Sequence, residues 1–235
     1  MENLTGKEFL SQVLEGKTKF SNIRISNLSW RDSSLLTKCL KREKIILNFM
    51  GCVFDGIKAK LYLSGATFSR CSFKEANLTN SNFNNTKFIA CNFQKTNLDE
   101  VAFLNASFSR SNLKLASLAS ANCEGANFIV VDMSFAYLYR ANLKKVKFSN
   151  SILYGVVLSK ANLENATFQN INLENCNAGY ANFQNAILEN VNMNYALLTG
   201  ANFLGARIAN VSLKNAKIKG IKIEEKVAEK LRKAA

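Results

Sequence analysis

The sequence predicts an all-β solenoid in which the chain turns a corner every five residues. From Leu63 to Ile223 every fifth residue is apolar, and all 33 of these positions hold Leu, Phe, Ile, Met, Cys or Ala. Two residues before each of them runs a second series, which begins Leu61, Ala66 and contains no charged residue. This period fits neither a helix nor a flat strand. Two inward side chains per unit can be buried only if the chain bends in every unit.

Asparagine and proline usage agree with such a solenoid. Asn occupies 14 of the 33 positions between the two apolar series. Because Asn side chains bond nearby backbone and tolerate left-handed dihedral angles, we expect these Asn residues at the corners. The sequence contains no proline, as expected if every coil needs its backbone N–H groups for pairing with its neighbours.

Units such as Ala76-Asn77-Leu78 and Ala141-Asn142-Leu143 resemble the pentapeptide repeat family, whose consensus is A-(D/N)-L-x-x. The resemblance covers 61–223 without a gap. It implies a right-handed quadrilateral β-helix with four units in each coil. Residues 20 positions apart are indeed alike, as in the series Phe68, Phe88, Phe108, Phe128, Phe148 and Phe168.

The pattern divides the chain into three parts. Residues 1–16 are expected to form an N-terminal capping helix, because Thr5 and Glu8 make a capping-box pattern ahead of an apolar stripe. Residues 17–223 form the β-helix, with an excursion at 33–46. Residues 224–235 are expected to form a short C-terminal helix, with Val227 and Leu231 on one side.

Upstream of residue 61 the repeats continue imperfectly. Two units fit in 47–56, and the following unit, 57–60, is one residue short. Three weaker units are centred on Phe20, Ile25 and Trp30. We expect the excursion that follows them to be a loop or a short helix bulging from one corner.

The residue types that carry catalysis are scarce. The sequence contains no histidine, so imidazole-based nucleophilic catalysis and imidazole metal ligands are absent from it. Its 11 glycines fall singly and make no phosphate-binding loop. We therefore expect no enzyme activity, no catalytic residues, no metal, no cofactor and no small-molecule substrate.

Cysteine usage indicates a reduced compartment. The six cysteines include no CxxC pair, and five of them follow the inward repeat positions. We expect six free thiols. No secretory signal or transmembrane segment is predicted, so we expect a cytoplasmic protein. The family resemblance implies a bacterial one.

The formal net charge of +14 is the main compositional anomaly. Excess charge of this kind favours association with anions such as nucleic acid or an acidic membrane. A candidate anion site combines the basic residues of two adjacent coils: Arg140, Lys144, Lys145, Lys147 and Lys160. The alternative is charge pairing, because Lys144 lies between Glu124 and Glu164 in its column.

Apolar and aromatic residues also occur at positions that the repeat places outward. Six lie on two adjoining faces of two consecutive coils, and Tyr180, Tyr195 and Leu197 extend the set further along the rod. Contiguous exposed apolar surface usually marks an interface, although tyrosines can also stabilise a sheet face. The candidate interaction residues are Phe135, Tyr137, Tyr139, Ile152, Tyr154, Val157 and Tyr195.

Three functions remain open on the sequence. The first is a protein-interaction scaffold that uses the aromatic residues, or the excursion, for a partner or for self-association. The second is an anion binder, with weak nonspecific nucleic-acid binding as its minimum. The third, suggested by the family, is a gyrase or topoisomerase modulator. The net charge of +14 opposes the DNA mimicry that its gyrase-protecting members use.

Overall fold

The chain forms a right-handed, four-sided parallel β-solenoid of about ten turns with two short helices, and the predicted fold class is confirmed. The computed structural model describes residues 1–28, 30–43 and 45–225. The elements in chain order are β1 Glu2–Thr5, α1 Gly6–Leu14, β2 Lys19–Ser21, β3 Ile23–Ser26, α2 Trp30–Glu43, β4 Asn48–Met50, β5 Thr67–Ser69, β6 Lys87–Ile89, β7 Ser107–Ser109, β8 Asn127–Ile129, β9 Lys147–Ile152, β10 Thr167–Asn172, β11 Ile187–Asn192 and β12 Arg207–Ser212.

Coils and faces are numbered from residue 61. Coil 1 is 61–80, and its four successive units form faces 1 to 4. Strands β5 to β8 lie on face 2, and β9 to β12 run from face 2 into face 3. Together with β4 and β2 they form a ten-stranded parallel sheet. Its register pairs residues 20 apart, such as Phe68 with Phe88. Faces 1 and 4, and face 3 of the earlier coils, are held by single β-bridges at the same spacing, such as Asn77 with Asn97.

The register changes upstream of coil 1. Phe49 pairs with Phe68, only 19 residues further along, because the unit at 57–60 has four residues. Phe20 pairs with Phe49 across a longer interval, in which α2 leaves the solenoid and returns. Both irregularities therefore lie at the N-terminal end of the rod.

The centre of the rod is a continuous stack of aromatic rings. Consecutive rings in this stack are 4.7 to 5.6 Å apart between centroids. Offset stacking at such distances adds to the stabilisation from apolar burial. The members are Phe20, Phe49, Phe68, Phe88, Phe108, Phe128, Phe148 and Phe168.

Polar residues in the inward series are satisfied by backbone. The Thr96 hydroxyl donates to the Phe73 carbonyl at 2.7 Å, and the Thr86 hydroxyl to the Leu63 carbonyl at 3.0 Å. Across the described part of the chain, no buried side-chain nitrogen or oxygen lacks a hydrogen-bond partner. The small inward position therefore accepts Ser and Thr without the cost of an unpaired polar group.

The expectation that the recurring Asn residues form the corners was wrong. These Asn residues lie on the flat of a face, where the side-chain oxygen accepts the N–H two residues further along, as from Gln94 to Asn92 at 3.0 Å. Asn142 also donates to Asn122 on the preceding coil at 2.9 Å. The left-handed residue follows three positions later, as at Lys95 with φ 58°.

The corners themselves are β-turns with a left-handed third residue. At the corner between faces 3 and 4 of coil 1, the Ala76 N–H donates to the Phe73 carbonyl at 3.0 Å, and Glu75 has φ 57°. This is type II turn geometry, which favours Gly or Asn at that position. Many corners nevertheless hold other residues, because pairing with neighbouring coils imposes the conformation.

The N-terminal end is covered by α1. The Thr5 hydroxyl accepts the Glu8 N–H, and the Glu8 carboxylate accepts the Thr5 N–H at 2.7 Å, which completes a capping box. The hydrogen bonds that the Glu8 carboxylate accepts from the Thr5 N–H and the Thr5 hydroxyl lower the pKa of that carboxyl. Phe9 is buried and its ring meets that of Phe20 at 4.9 Å, so the helix closes the core at this end.

The third weak repeat expected around Trp30 is not a repeat. Helix α2 already begins at Trp30 and ends at Glu43, so the excursion starts before residue 33. Leu36 and Leu40 are buried, which gives this helix one face toward the rod.

At the C-terminal end, the last coil of the described residues is less buried than the coils before it, and Ile218 is 41% exposed. Most of the C-terminal helix expected at 224–235, including Val227 and Leu231, lies outside the described residues. Of the helices that the structure describes, neither is long and apolar enough to cross a membrane.

Candidate interaction surface

Six of the predicted interaction residues lie together on faces 3 and 4 of coils 4 and 5. We call this set the aromatic patch: Phe135, Tyr137, Tyr139, Ile152, Tyr154 and Val157. Phe135, Tyr137 and Ile152 are between 43% and 49% exposed, and the other three are half-buried. The patch is therefore open to solvent yet partly fixed by its own contacts.

The two rings on face 3 are held in place. Phe135 and Tyr154 meet edge to face, with centroids 5.4 Å apart and planes at 83°. The Asn175 side-chain amide donates to the Tyr154 hydroxyl at 3.0 Å. Phe135 also lies over Gly155, where a Cβ would come within 2.7 Å of the ring. A glycine at that corner leaves room for the ring.

Face 4 carries the second half of the patch. The rings of Tyr137 and Tyr139 are stacked at 6.1 Å, and Tyr137 is bridged to Val157 of the next coil. The Arg140 guanidinium carbon lies 5.1 Å from the Tyr139 ring centroid, and the Lys160 ammonium 5.8 Å from it. Both distances suit cation–π attraction. Two positive charges therefore border the aromatic patch.

The structure does not bring Tyr195 into the patch. Tyr195 occupies the corner column of Phe135, but three coils further along, with Gly155 and Asn175 in between. Tyr180 is also separate, and its ring lies over Gly200 as that of Phe135 lies over Gly155.

Sequence reasoning missed one extension of the patch. Leu115 is 45% exposed and directly precedes Phe135 in the same corner column, one coil earlier. Sorting the outward residues by the period of 20 would have found it, because column neighbours lie one coil apart.

The five residues of the candidate anion site are spread around the rod. Arg140 and Lys160 lie at the corner that ends face 4, Lys144 and Lys145 lie on face 1, and Lys147 lies on face 2 within β9. They do not share one flat surface.

Two of these lysines are paired with carboxylates. Lys144 contacts Glu164 at 2.9 Å, and Lys145 contacts Glu124 at 3.7 Å. The hydrogen bond from Lys144 to Glu164 raises the pKa of the Lys144 ammonium group. Surface pairs of this kind contribute little stability, but they neutralise the charge that an anion would need.

All six cysteines are free thiols, as expected. Cys52, Cys71, Cys91, Cys123 and Cys176 are buried, whereas Cys39 on α2 is half-buried. In the described part of the chain, no cluster of Cys, Asp and Glu has the arrangement of a metal site.

A solenoid whose coils stack into one continuous core belongs to the class of repeat proteins. Residues 121–203 and 141–223 match the family model described as "Pentapeptide repeat region", and residues 61–94, 87–118 and 96–134 match "Pentapeptide repeats (8 copies)". The chain belongs to the pentapeptide repeat family, as its repeats predicted.

Solved structures with the same fold include HetL, a pentapeptide repeat protein involved in heterocyst differentiation regulation from the cyanobacterium Nostoc sp. strain PCC 7120. The identity is 22%, the match covers 94% of this chain and 97% of HetL, and the TM-score is 0.57. QnrB1, a plasmid-mediated fluoroquinolone resistance protein, matches at 18% identity over 80% of this chain and 96% of its own, with a TM-score of 0.48. No curated protein sequence matches this chain.

Proposed function

We propose that this protein is a non-enzymatic protein-interaction scaffold whose docking surface is the aromatic patch. The observation that carries the proposal is the contiguity of the six residues on two adjoining faces of coils 4 and 5. Pentapeptide repeat proteins are generally non-enzymatic scaffolds, so a binding role is in keeping with the family. The proposal names the surface on which binding occurs.

The patch suits docking because its rings are already ordered. Phe135 and Tyr154 are fixed by each other and by Asn175, so little side-chain entropy is lost when a partner covers them. Aromatic side chains that combine large area with few rotatable bonds are frequent anchors of interfaces. Backbone bridges between coils 4 and 5, at Asp132 with Ile152 and at Tyr137 with Val157, keep their spacing constant.

The border of the patch indicates the chemistry of the partner. Arg140 and Lys160 flank Tyr139, and neither takes part in a described salt bridge. A protein surface with apolar side chains at its centre and carboxylates at its rim would complement them. We therefore expect an acidic partner protein.

The other two candidate functions have less support. The five basic residues of the candidate anion site wrap around three faces, and Lys144 and Lys145 are already paired, so they supply no concentrated footprint for nucleic acid. The net charge of +14 opposes imitation of duplex DNA on a topoisomerase.

The proposal is tested by capture from the source cell with matched surface variants. The Phe135→Ser/Tyr154→Ser double variant removes two rings that lie outside the inward core. The control, Ile89→Ser/Ile187→Ser, removes two exposed apolar residues from face 2. We expect the parent and the control to retain a partner that the patch variant loses. The melting temperatures of the three proteins should be nearly equal.

Light scattering on the same three proteins reports self-association. If the patch variant captures every partner of the parent and keeps its oligomeric state, the proposed docking surface is wrong. The rings would then serve only to stabilise the two faces.

A further inference from the structure

A second surface, near the N-terminal end of the solenoid, has the form of a ligand site. Helix α2 stands beside face 1 of coil 1, and a groove runs between them on both sides of Lys41 and Tyr62. We propose that this groove binds a small organic phosphate, with the phosphate near Lys41 and Lys60 and a planar or apolar body beside Ile45 and Ile46. It is independent of the aromatic patch, which lies on other faces three coils away.

Helix α2 turns a polar stripe toward the groove. Ser34, Thr37, Lys38 and Lys41 follow one another at the spacing that places residues on one side of a helix. All four line the groove, whereas Leu36 and Leu40, on the neighbouring side of the helix, are buried. The helix therefore packs on the rod with its apolar side and offers amines and hydroxyl groups to the groove.

The rod contributes a tyrosine and a further lysine. The Lys41 ammonium lies 5.9 Å from the centroid of the Tyr62 ring, and the Lys60 ammonium lies 5.6 Å from the same centroid. Two like charges are thus held around one ring, and none of the described salt bridges includes either lysine. A concave site lined by one sign of charge concentrates counter-ions, so an anion would relieve the repulsion between the two lysines.

The groove has two chemically different halves. The half with the hydroxyl groups and lysines has a volume of about 420 Å³. The adjoining half, of about 320 Å³, has aliphatic side chains from Leu40, Ile45, Ile46 and Leu63 and polar ones from Ser64 and Asn82, as well as Tyr62. Because Tyr62 and Lys41 border both halves, one molecule can occupy the two together.

This division selects the class of ligand. Lysines bind phosphate as point charges, and hydroxyl groups add hydrogen bonds to its oxygens. The half beside Ile45 and Ile46 adds contact area for a body attached to the phosphate, and the half-buried ring of Tyr62 between the two halves suits a planar ring. A nucleoside monophosphate combines both parts, whereas inorganic phosphate fills only the half that holds Lys38 and Lys60.

The test is calorimetric titration of the full chain with AMP and, separately, with inorganic phosphate at low ionic strength. We expect AMP to bind at least about tenfold more tightly than inorganic phosphate. The Lys41→Ala/Lys60→Ala variant should weaken AMP binding by about tenfold or more. Ile46→Ser should weaken AMP binding but leave phosphate binding unchanged.

The control, Lys87→Ala/Lys95→Ala, removes the same charge from other faces of the rod. It should bind AMP as the parent does. Absence of AMP binding at millimolar concentration, equal affinity for AMP and inorganic phosphate, or equal losses in the two lysine variants would each overturn the proposal. Thermal unfolding of every variant separates lost binding from lost structure.

Discussion

The ring of Phe135 lies across the backbone of Gly155, so that a Cβ at Gly155 would be 2.7 Å from two carbons of that ring. Tyr180 lies over Gly200 in the same way, and the side-chain oxygens of Asn105 and Asn185 lie over Gly125 and Gly205. The left-handed residue at one corner therefore leans over the corner of the next coil. At these places glycine provides space for a neighbour as well as conformational freedom.

Gly155→Ala should destabilise the protein more than Gly56→Ala. The two glycines have similar φ values, 63° and 66°, so the backbone strain of a Cβ is about equal, near 1 kcal/mol. A Cβ at position 56 meets nothing within 4 Å, whereas one at position 155 must displace the Phe135 ring. We expect an extra loss of about 0.5–1.5 kcal/mol, the worth of an aromatic contact, measured by chemical denaturation. A Phe135→Ala background should remove the difference, and an undiminished difference there would contradict the explanation.

Phe108→Ala should cost about 3–5 kcal/mol of unfolding free energy. Phe108 is fully buried between Phe88 and Phe128, with centroid distances of 4.7 and 4.8 Å. The half-exposed Phe135 is the matched control, and Phe135→Ala should cost less than about 1.5 kcal/mol. A loss below about 1 kcal/mol at position 108 would mean that the ring stack does not stabilise the rod.

Val130→Asn should stabilise the protein by about 1 kcal/mol. Val130 is a β-branched residue at φ 55°, a conformation that is strained for such side chains. The following residues of its column are Asn150, Asn170, Asn190 and Asn210, joined amide to amide at 2.9 to 3.0 Å. An Asn at position 130 would relieve the strain and stand one coil before this ladder. The reciprocal change, Asn170→Val, should destabilise, and a melting temperature that rises for both would contradict the argument.

Native protein at neutral pH should expose one reactive thiol to a neutral alkylating reagent. Burial raises the pKa of the Cys123 and Cys176 thiols to about 12, so almost no thiolate is present. Cys39 is half-buried on α2 and should react first. Mass spectrometry should count one modified cysteine before unfolding and six afterwards. Modification of Cys123 at the rate of Cys39 would show that the core opens readily.

The inward half of this structure follows directly from the sequence. Burial of one small and one large residue in every five forces a corner into each unit. The family resemblance implies four units to a coil, and the likeness of Phe68 to Phe88 and Phe108 agrees with it. The same register places Phe135 and Tyr154 on one face before any coordinates are known.

The corners and α2 were harder to predict for physical reasons. Asn is favoured both in side-chain turns and in left-handed backbone, so its frequency alone does not tell which role applies. At Trp30 the apolar spacing of a weak repeat coincides with that of an amphipathic helix. The groove beside Tyr62 depends on where α2 returns to the rod, which local patterning does not specify.

The register of face 2 is constant from coil 1 onward, and this has a consequence for how such a chain can change in length. Insertion or loss of 20 residues between the Tyr62 groove and the aromatic patch would add or remove one complete turn. Every downstream side chain would stay on its original face of the rod. The Tyr62 groove and the aromatic patch would then move apart or together by about 4.8 Å, with both surfaces intact. Loss of five residues would instead rotate everything downstream by a quarter turn. The number of coils between the two surfaces therefore sets their distance, in steps of one whole turn.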